Sequence, residues 1–180
     1  MNLTARFFGH LKTVTRHRHL VFCGCVRAGI PLQGLLHDLS KFSPTEFLPG
    51  VRFYDGHHSP TEDERRLSGY SRAWMHHKGR NKHHWEYWTD YYSAQGQYEP
   101  VPMPRRYLAE MVCDRMAASK VYKGAEYSDA CPVEYLLKGK MRKLMHPQTL
   151  DELTHFLSLL RDEGEDRMFA ALRAWVREKP

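Results

Sequence analysis

No run of apolar residues in this 180-residue chain approaches the roughly 18 that a membrane-crossing helix needs. No membrane is therefore expected as a partner. The amino terminus lacks a secretory core as well. Met1 to Lys12 mixes Arg, His and Lys with apolar residues at helical spacing, and the expected compartment is cytoplasmic. Cysteine is scarce. The four present are expected as reduced thiols in that compartment. Cys23 and Cys25 form a lone C-x-C, too little for a metal site, and Cys25 reads as a buried helix position. No stretch alternates with period two, so strands are not required. Low-complexity segments, long linkers and domain-sized repeats are also missing. A composition 42% hydrophobic and 27% charged leaves one soluble globular domain over residues 1–180, large enough to bury a core.

The punctuation of the chain is helical nearly throughout, and the expected fold class is all-α. Apolar spacing predicts a first helix from about Leu3 to Ala28, stopped by Gly29. Pro31 suits the first turn of a second helix, which is expected to carry His37-Asp38. Ser43-Pro44-Thr45-Glu46 and Ser59-Pro60-Thr61-Glu62 are two copies of one start signal. Each offers a Ser cap, Pro in the first turn and Glu three residues after the cap. The second copy predicts a helix from about Pro60 to Lys78, closed by Gly79, with another starting near His83. Further helices are expected over Pro104–Lys123, Pro132–Leu144 and Pro147 to about Arg161, then an amphipathic stretch to Val176.

Net charge is +6 with His neutral, and there are twelve His. That balance suits an anionic substrate or a nucleic acid.

His37-Asp38 stands directly behind Gly34-Leu35-Leu36, with Lys41 three positions on. Imidazole and carboxylate side by side make a metal clamp of one nitrogen and one oxygen. A hydrogen-bonded pair at a helix end would leave the same trace in the sequence. On the first helix, His10 and His17 fall on the stripe formed by Phe7, Val14, Val21 and Ala28, so both face inward, while His19 faces elsewhere. Seven residues apart, they cannot easily share an ion. Asp114 lies on a face with Met111, Ala117, Ala118 and Val121, where a carboxylate is expensive without a metal or an Arg partner. Glu110, four residues earlier, could orient a ligand from behind.

The segment from Trp74 to Trp85 is densest in chemistry. His76, His77, His83 and His84 flank a turn at Gly79, and Lys78, Arg80 and Asn81 are placed to bind phosphate oxygens. A solvated basic turn is the alternative. His57-His58, His146 and His155 read as surface or packing residues. The aromatics Trp85, Tyr87, Trp88, Tyr91 and Tyr92 read as one helix face packed on the core, with a base-stacking platform as the alternative.

Taken in order, these residues resemble the HD-domain superfamily of metal-dependent phosphohydrolases. Leu35-Leu36-His37-Asp38-Leu39-Ser40-Lys41 looks like its apolar-apolar-His-Asp-apolar-small-Lys signature. His17 precedes it, and Asp114 in Cys113-Asp114-Arg115-Met116 follows at a distance. The resemblance covers roughly residues 7 to 124, with the helices of about 132–178 beyond it. It implies an HD-like helical bundle with His17, His37, Asp38 and Asp114 as ligands and His10 as the alternative first ligand. It also implies His77 and His83 as ligands of a second ion, with His76 and His84 as alternates. Mixed nitrogen and oxygen donors suit Mn, Fe, Co, Ni or Zn, one ion or two.

The expected activity is hydrolysis of a phosphate monoester or diester, nucleotides included, with Asp38 and Lys41 as catalytic residues and Lys78, Arg80 and Asn81 as substrate contacts. The same ligands would serve a di-iron oxygenase. A non-catalytic, basic nucleic-acid-binding helical domain is the third reading. A strand-dependent His-Asn-His nuclease site is excluded by the helical flanks of the His76–His84 cluster.

Overall fold

Asn2 accepts a hydrogen bond from Ala5 N at 2.9 Å and starts α1, Leu3–Ala28. Gly29, at φ 81°, stops it in the left-handed conformation that glycine tolerates best. The computed structural model describes residues 1–178. The chain continues through α2 (Pro31–Leu36), a 3₁₀ turn at Leu39–Phe42, α3 (Pro44–Arg52), α4 (Pro60–Ser68) and α5 (Arg72–Lys78). Strands β1 (Thr89–Tyr92) and β2 (Gln97–Pro100) follow, then α6 (Arg105–Lys123), α7 (Cys131–Lys138) and α8 (Pro147–Arg177). The fold class is all-α, as the punctuation predicts. No helix among the described residues is long and apolar enough to cross a membrane.

The core forms where α1, α6 and α8 meet. Val21, Cys25 and Ala28 of α1 pack with Leu108 and Val112 of α6 and with Leu153, Leu157, Leu160 and Leu172 of α8, all fully buried. A buried Leu of this kind contributes about 1.5–3 kcal/mol. Small residues let α1 and α6 close on one another: a Cβ on Gly24 would lie 3.1 Å from the Cys113 sulfur. The spacing of four that puts Glu110 and Asp114 on one face of α6 turns them away from Val112, toward a second and polar interior.

Four expectations need correction. The helix predicted over Pro60–Lys78 is two helices, broken at Gly69 (φ 76°), with Ser71 capping α5 through Trp74 N. The helix predicted near His83 is a 3₁₀ turn at Trp85–Tyr87 and an antiparallel hairpin, Asp90 opposite Glu99 and Tyr91 opposite Tyr98. Both strands are largely exposed, so their alternation has no apolar side for a period-two search to find. Of the aromatics placed on one helix face, only Trp85 is buried, while Tyr91 and Tyr92 are exposed. The helix predicted over Pro132–Leu144 ends at Lys138, where Gly139 turns extended before a 3₁₀ turn. Within α8, Gly164 (φ 80°, ψ 176°) kinks the helix near the expected boundary at Arg161.

Candidate metal centre

His17, His37, Asp38 and Asp114 bring one donor atom each within 4.8 Å of one another. His17 Nε2 lies 3.0 Å from Asp114 Oδ1 and 3.4 Å from His37 Nε2. His37 Nε2 lies 3.3 Å from Asp38 Oδ2 and 3.6 Å from Asp114 Oδ1. A second group adjoins it, formed by His77, His83 and His84 with the same Asp38. Asp38 turns its other oxygen, Oδ1, to His77 Nε2 at 3.3 Å and His83 Nε2 at 3.4 Å. Donors of one ion, at bonds near 2 Å, stand roughly 3–4 Å apart. The contacts given above have that spacing, His84 brings a donor within 4.8 Å of the others, and the two groups share one carboxylate.

The local backbone explains how Asp38 reaches both. It is the one non-glycine residue with positive φ (55°) among the described residues, a conformation that Asp and Asn tolerate better than most. His37-Asp38 is therefore not inside the second helix, as the sequence suggests, but just past its end. The apolar lead-in is not buried either: Leu35 and Leu36 are 58% and 54% exposed, and Gly34 is the buried residue of α2, close against α1. Arg18 steadies the turn, its Nε donating to His37 O at 2.7 Å and its Nη2 to Leu35 O at 3.0 Å. These are carbonyls that a helix end leaves without partners.

Two buried glutamates hold the imidazoles from behind. Glu110 Oε1 accepts from His37 Nδ1 at 2.9 Å and lies 3.0 Å from His83 Nδ1. Its Oε2 accepts from Gln33 Nε2 at 3.0 Å. Glu46 accepts from His76 Nδ1 at 2.6 Å and His77 Nδ1 at 2.7 Å. An imidazole whose Nδ1 carries the proton toward a carboxylate presents the Nε2 lone pair on its other side, the arrangement that orients metal-binding His.

Electrostatics follow from this density. Burial opposes charge on His37, yet Asp38 and the neighbouring carboxylates outweigh it and hold the imidazole well above its ordinary value. Burial likewise opposes charge on Asp38, and the charges of His37, Lys41 and His77 prevail and hold it well below. Burial, with His83 and His77 nearby, keeps His84 well below its ordinary value and so neutral. Asp38 Oδ1, His83 Nε2 and His84 Nε2 are buried with no hydrogen-bond partner. Buried polar atoms are rarely left so. Three unpartnered buried donors on residues of one group, in a mixed imidazole and carboxylate set, fit a metal ion.

The structure brings His17, His37, Asp38, His77, His83 and Asp114 together, with His84, one of the two alternates, beside them. His10 is elsewhere, against Phe47 and Tyr54, and burial followed by the charge of Lys41 pushes it down to about 4. His76 holds Glu46 rather than joining either donor group. Lys41 Nζ stands 2.7 Å from Asp38 Oδ2, with its side chain 31% exposed. Asn81 donates to Ser40 Oγ at 2.9 Å and His77 O at 2.8 Å, a clasp on the turn. Arg80 is exposed and reaches His76 O at 3.4 Å, and Lys78 is half-buried. His57 and His58 lie in the exposed loop, His58 on Asp55 at 2.9 Å. Sequence reasoning missed Glu46, Gln33 and Arg18. The spacing of Glu46 from Ser43 reads as a capping box, yet Ser43 makes no side-chain cap bond.

No curated protein and no solved structure matches the chain. A family model does match, over residues 6–159, a span that holds every donor of both groups and both supporting glutamates. The chain belongs to that family, DUF5662, a family of unknown function.

Proposed function

We propose that the chain is a metal-dependent phosphohydrolase of the HD type, acting on a phosphate monoester or diester, nucleotides among them. The observation that carries this reading is Asp38, whose two oxygens face two donor groups, an arrangement suited to a pair of ions sharing one carboxylate. Bound divalent ions would supply Lewis acidity to a phosphate oxygen and to an attacking water. The residues of the chain do the rest. Asp114, 17% exposed, and Lys41, 31% exposed, mark where the centre meets solvent, while the imidazoles behind them are shut in. An anionic ester entering there meets the Lys41 ammonium first, and the same charge can stabilise negative charge developing on phosphate. Glu110 and Glu46 keep the imidazoles oriented without touching the ester.

The test is metal analysis of the purified chain by elemental mass spectrometry, with an assay on nucleotides and generic phosphate esters in Mn, Co and Ni. Asp38→Asn is the informative variant, since Asn keeps the left-handed backbone and removes the charge. Loss of both metal and turnover is expected. A phosphatase activity that persists undiminished in Asp38→Asn defeats the reading. Bound iron with oxygen uptake and no hydrolysis replaces it with the oxygenase.

A further inference from the structure

From His83 to Pro104 the chain contains no lysine or arginine, while Glu86, Asp90 and Glu99 lie within that stretch. The rest of the molecule is basic enough to give a net charge of +6. This acidic stretch builds the β1–β2 hairpin. Asp90 stands directly opposite Glu99, so two like charges share one face with Tyr92. Like charges facing each other across a strand pair are destabilising. Among the described residues that face is largely open: Asp90 and Gln97 are exposed, Tyr92 is 51% exposed, and Glu99 is half-buried. A lone two-stranded hairpin is only marginally stable in water, and this one rests on the body through Trp88, which packs on Tyr107 and donates to Lys82 O at 2.7 Å.

The complementary surface lies on the same chain. Past α7, the 3₁₀ turn Lys140–Leu144 carries Lys140, Arg142 and Lys143, all exposed and without an acidic partner among the described residues. Met141 and Leu144, between and beside them, are 45% and 60% exposed. The hairpin offers two carboxylates and an aromatic ring, and the turn offers three cations and two apolar side chains. Both being exposed, neither covers the other within one molecule.

We infer that the hairpin docks on the Lys140–Leu144 turn of a second copy of this chain. Each copy carries both surfaces, so a two-fold axis makes the contact twice and closes the assembly as a dimer. The cations of the turn would relieve the repulsion between Asp90 and Glu99.

Sedimentation equilibrium of the full chain tests this, at protein concentrations of roughly 1–100 μM and at low and high salt, which screens exposed charges. A dimer that weakens with salt is expected. The double variant Asp90→Lys/Glu99→Lys and the triple variant Lys140→Glu/Arg142→Glu/Lys143→Glu should each self-associate at least about tenfold more weakly, with circular dichroism confirming that each stays folded. Mixed in equal amounts, the two variants should pair, because each reversed surface then meets its opposite. A wild type that stays monomeric overturns the inference, including one whose basic turn binds anionic vesicles or nucleic acid instead. So does a dimer that both charge-reversed variants leave intact.

Discussion

The carboxylate of Glu46, in the first turn of α3, lies 2.7 Å from Nδ1 of His77 near the end of α5. One side chain thus fixes the ring of a candidate ligand on another helix. Glu46→Ala should lower metal affinity about 10–100-fold, the range for loss of a carboxylate behind a ligating His. Glu46→Gln, which still accepts a hydrogen bond, should lose less. Isothermal titration with Mn or Zn measures both, and an unchanged affinity in Glu46→Ala would remove Glu46 from the centre.

Glu110 supports two rings at once, His37 and His83. Glu110→Ala leaves both buried Nδ1–H groups without an acceptor, which should reduce stability by about 1–3 kcal/mol per orphaned group. Denaturant unfolding of the metal-free protein reads this directly.

Acid and base should each destabilise the metal-free protein, through different groups. Burial would raise Glu110, but its hydrogen bonds to His37 and His83 dominate and hold it down to about 2, against an ordinary 4.5. That stabilisation is complete above 4.5 and is lost as pH falls toward 2. His37 is held above its ordinary 6.5, so its contribution is complete below 6.5 and is lost as pH rises through the raised value. The two contributions are complete together between 4.5 and 6.5, and because burial lowers His10 and His84, whose stabilisation is lost as pH falls below 6.5, metal-free protein should be most stable at the upper end of that window. Protein loaded with metal should keep its stability above that window, because the ion takes the place of the proton on His37. Thermal unfolding against pH, with chelator and with metal, separates the two profiles. Identical profiles would count against metal binding.

Gly34 sets the approach of α2 to α1. A Cβ there would fall 2.6 Å from Cys25 Cβ and 3.1 Å from Phe22 Cα. The second contact is backbone and cannot swing aside. Gly34→Ala should reduce stability by about 1–3 kcal/mol and displace His37, lowering metal content together with melting temperature. A variant as stable as wild type would show that α2 can shift freely.

Much of the helical framework was legible because its signals are local. Gly29 and Gly124 end α1 and α6 where the sequence says they do, and inward-facing His17 follows from the stripe of Val14 and Val21. Asp114 was legible as a carboxylate among small and apolar neighbours. The supports were not. Glu46 obeys the local rule for a capping box and is diverted by a contact thirty-one positions away. Gln33 and Arg18 carry no anomaly of type or spacing, and their roles exist only once α1, α2 and α6 are assembled. The hairpin escaped because its strands are exposed on both sides and so lack an apolar rhythm.

Gly164 turns the chain so that Glu165 reaches Arg27 Nη1 at 2.6 Å and also pairs with Lys120. That single carboxylate works as a tie-bar between α1 and α6, the helices that carry His17 and Asp114. It sits beyond residue 159, where the family match ends. A brace outside the matched region thus joins the two helices that carry these donors. If the centre holds an ion, changing this brace should alter how tightly it is held while every donor stays in place.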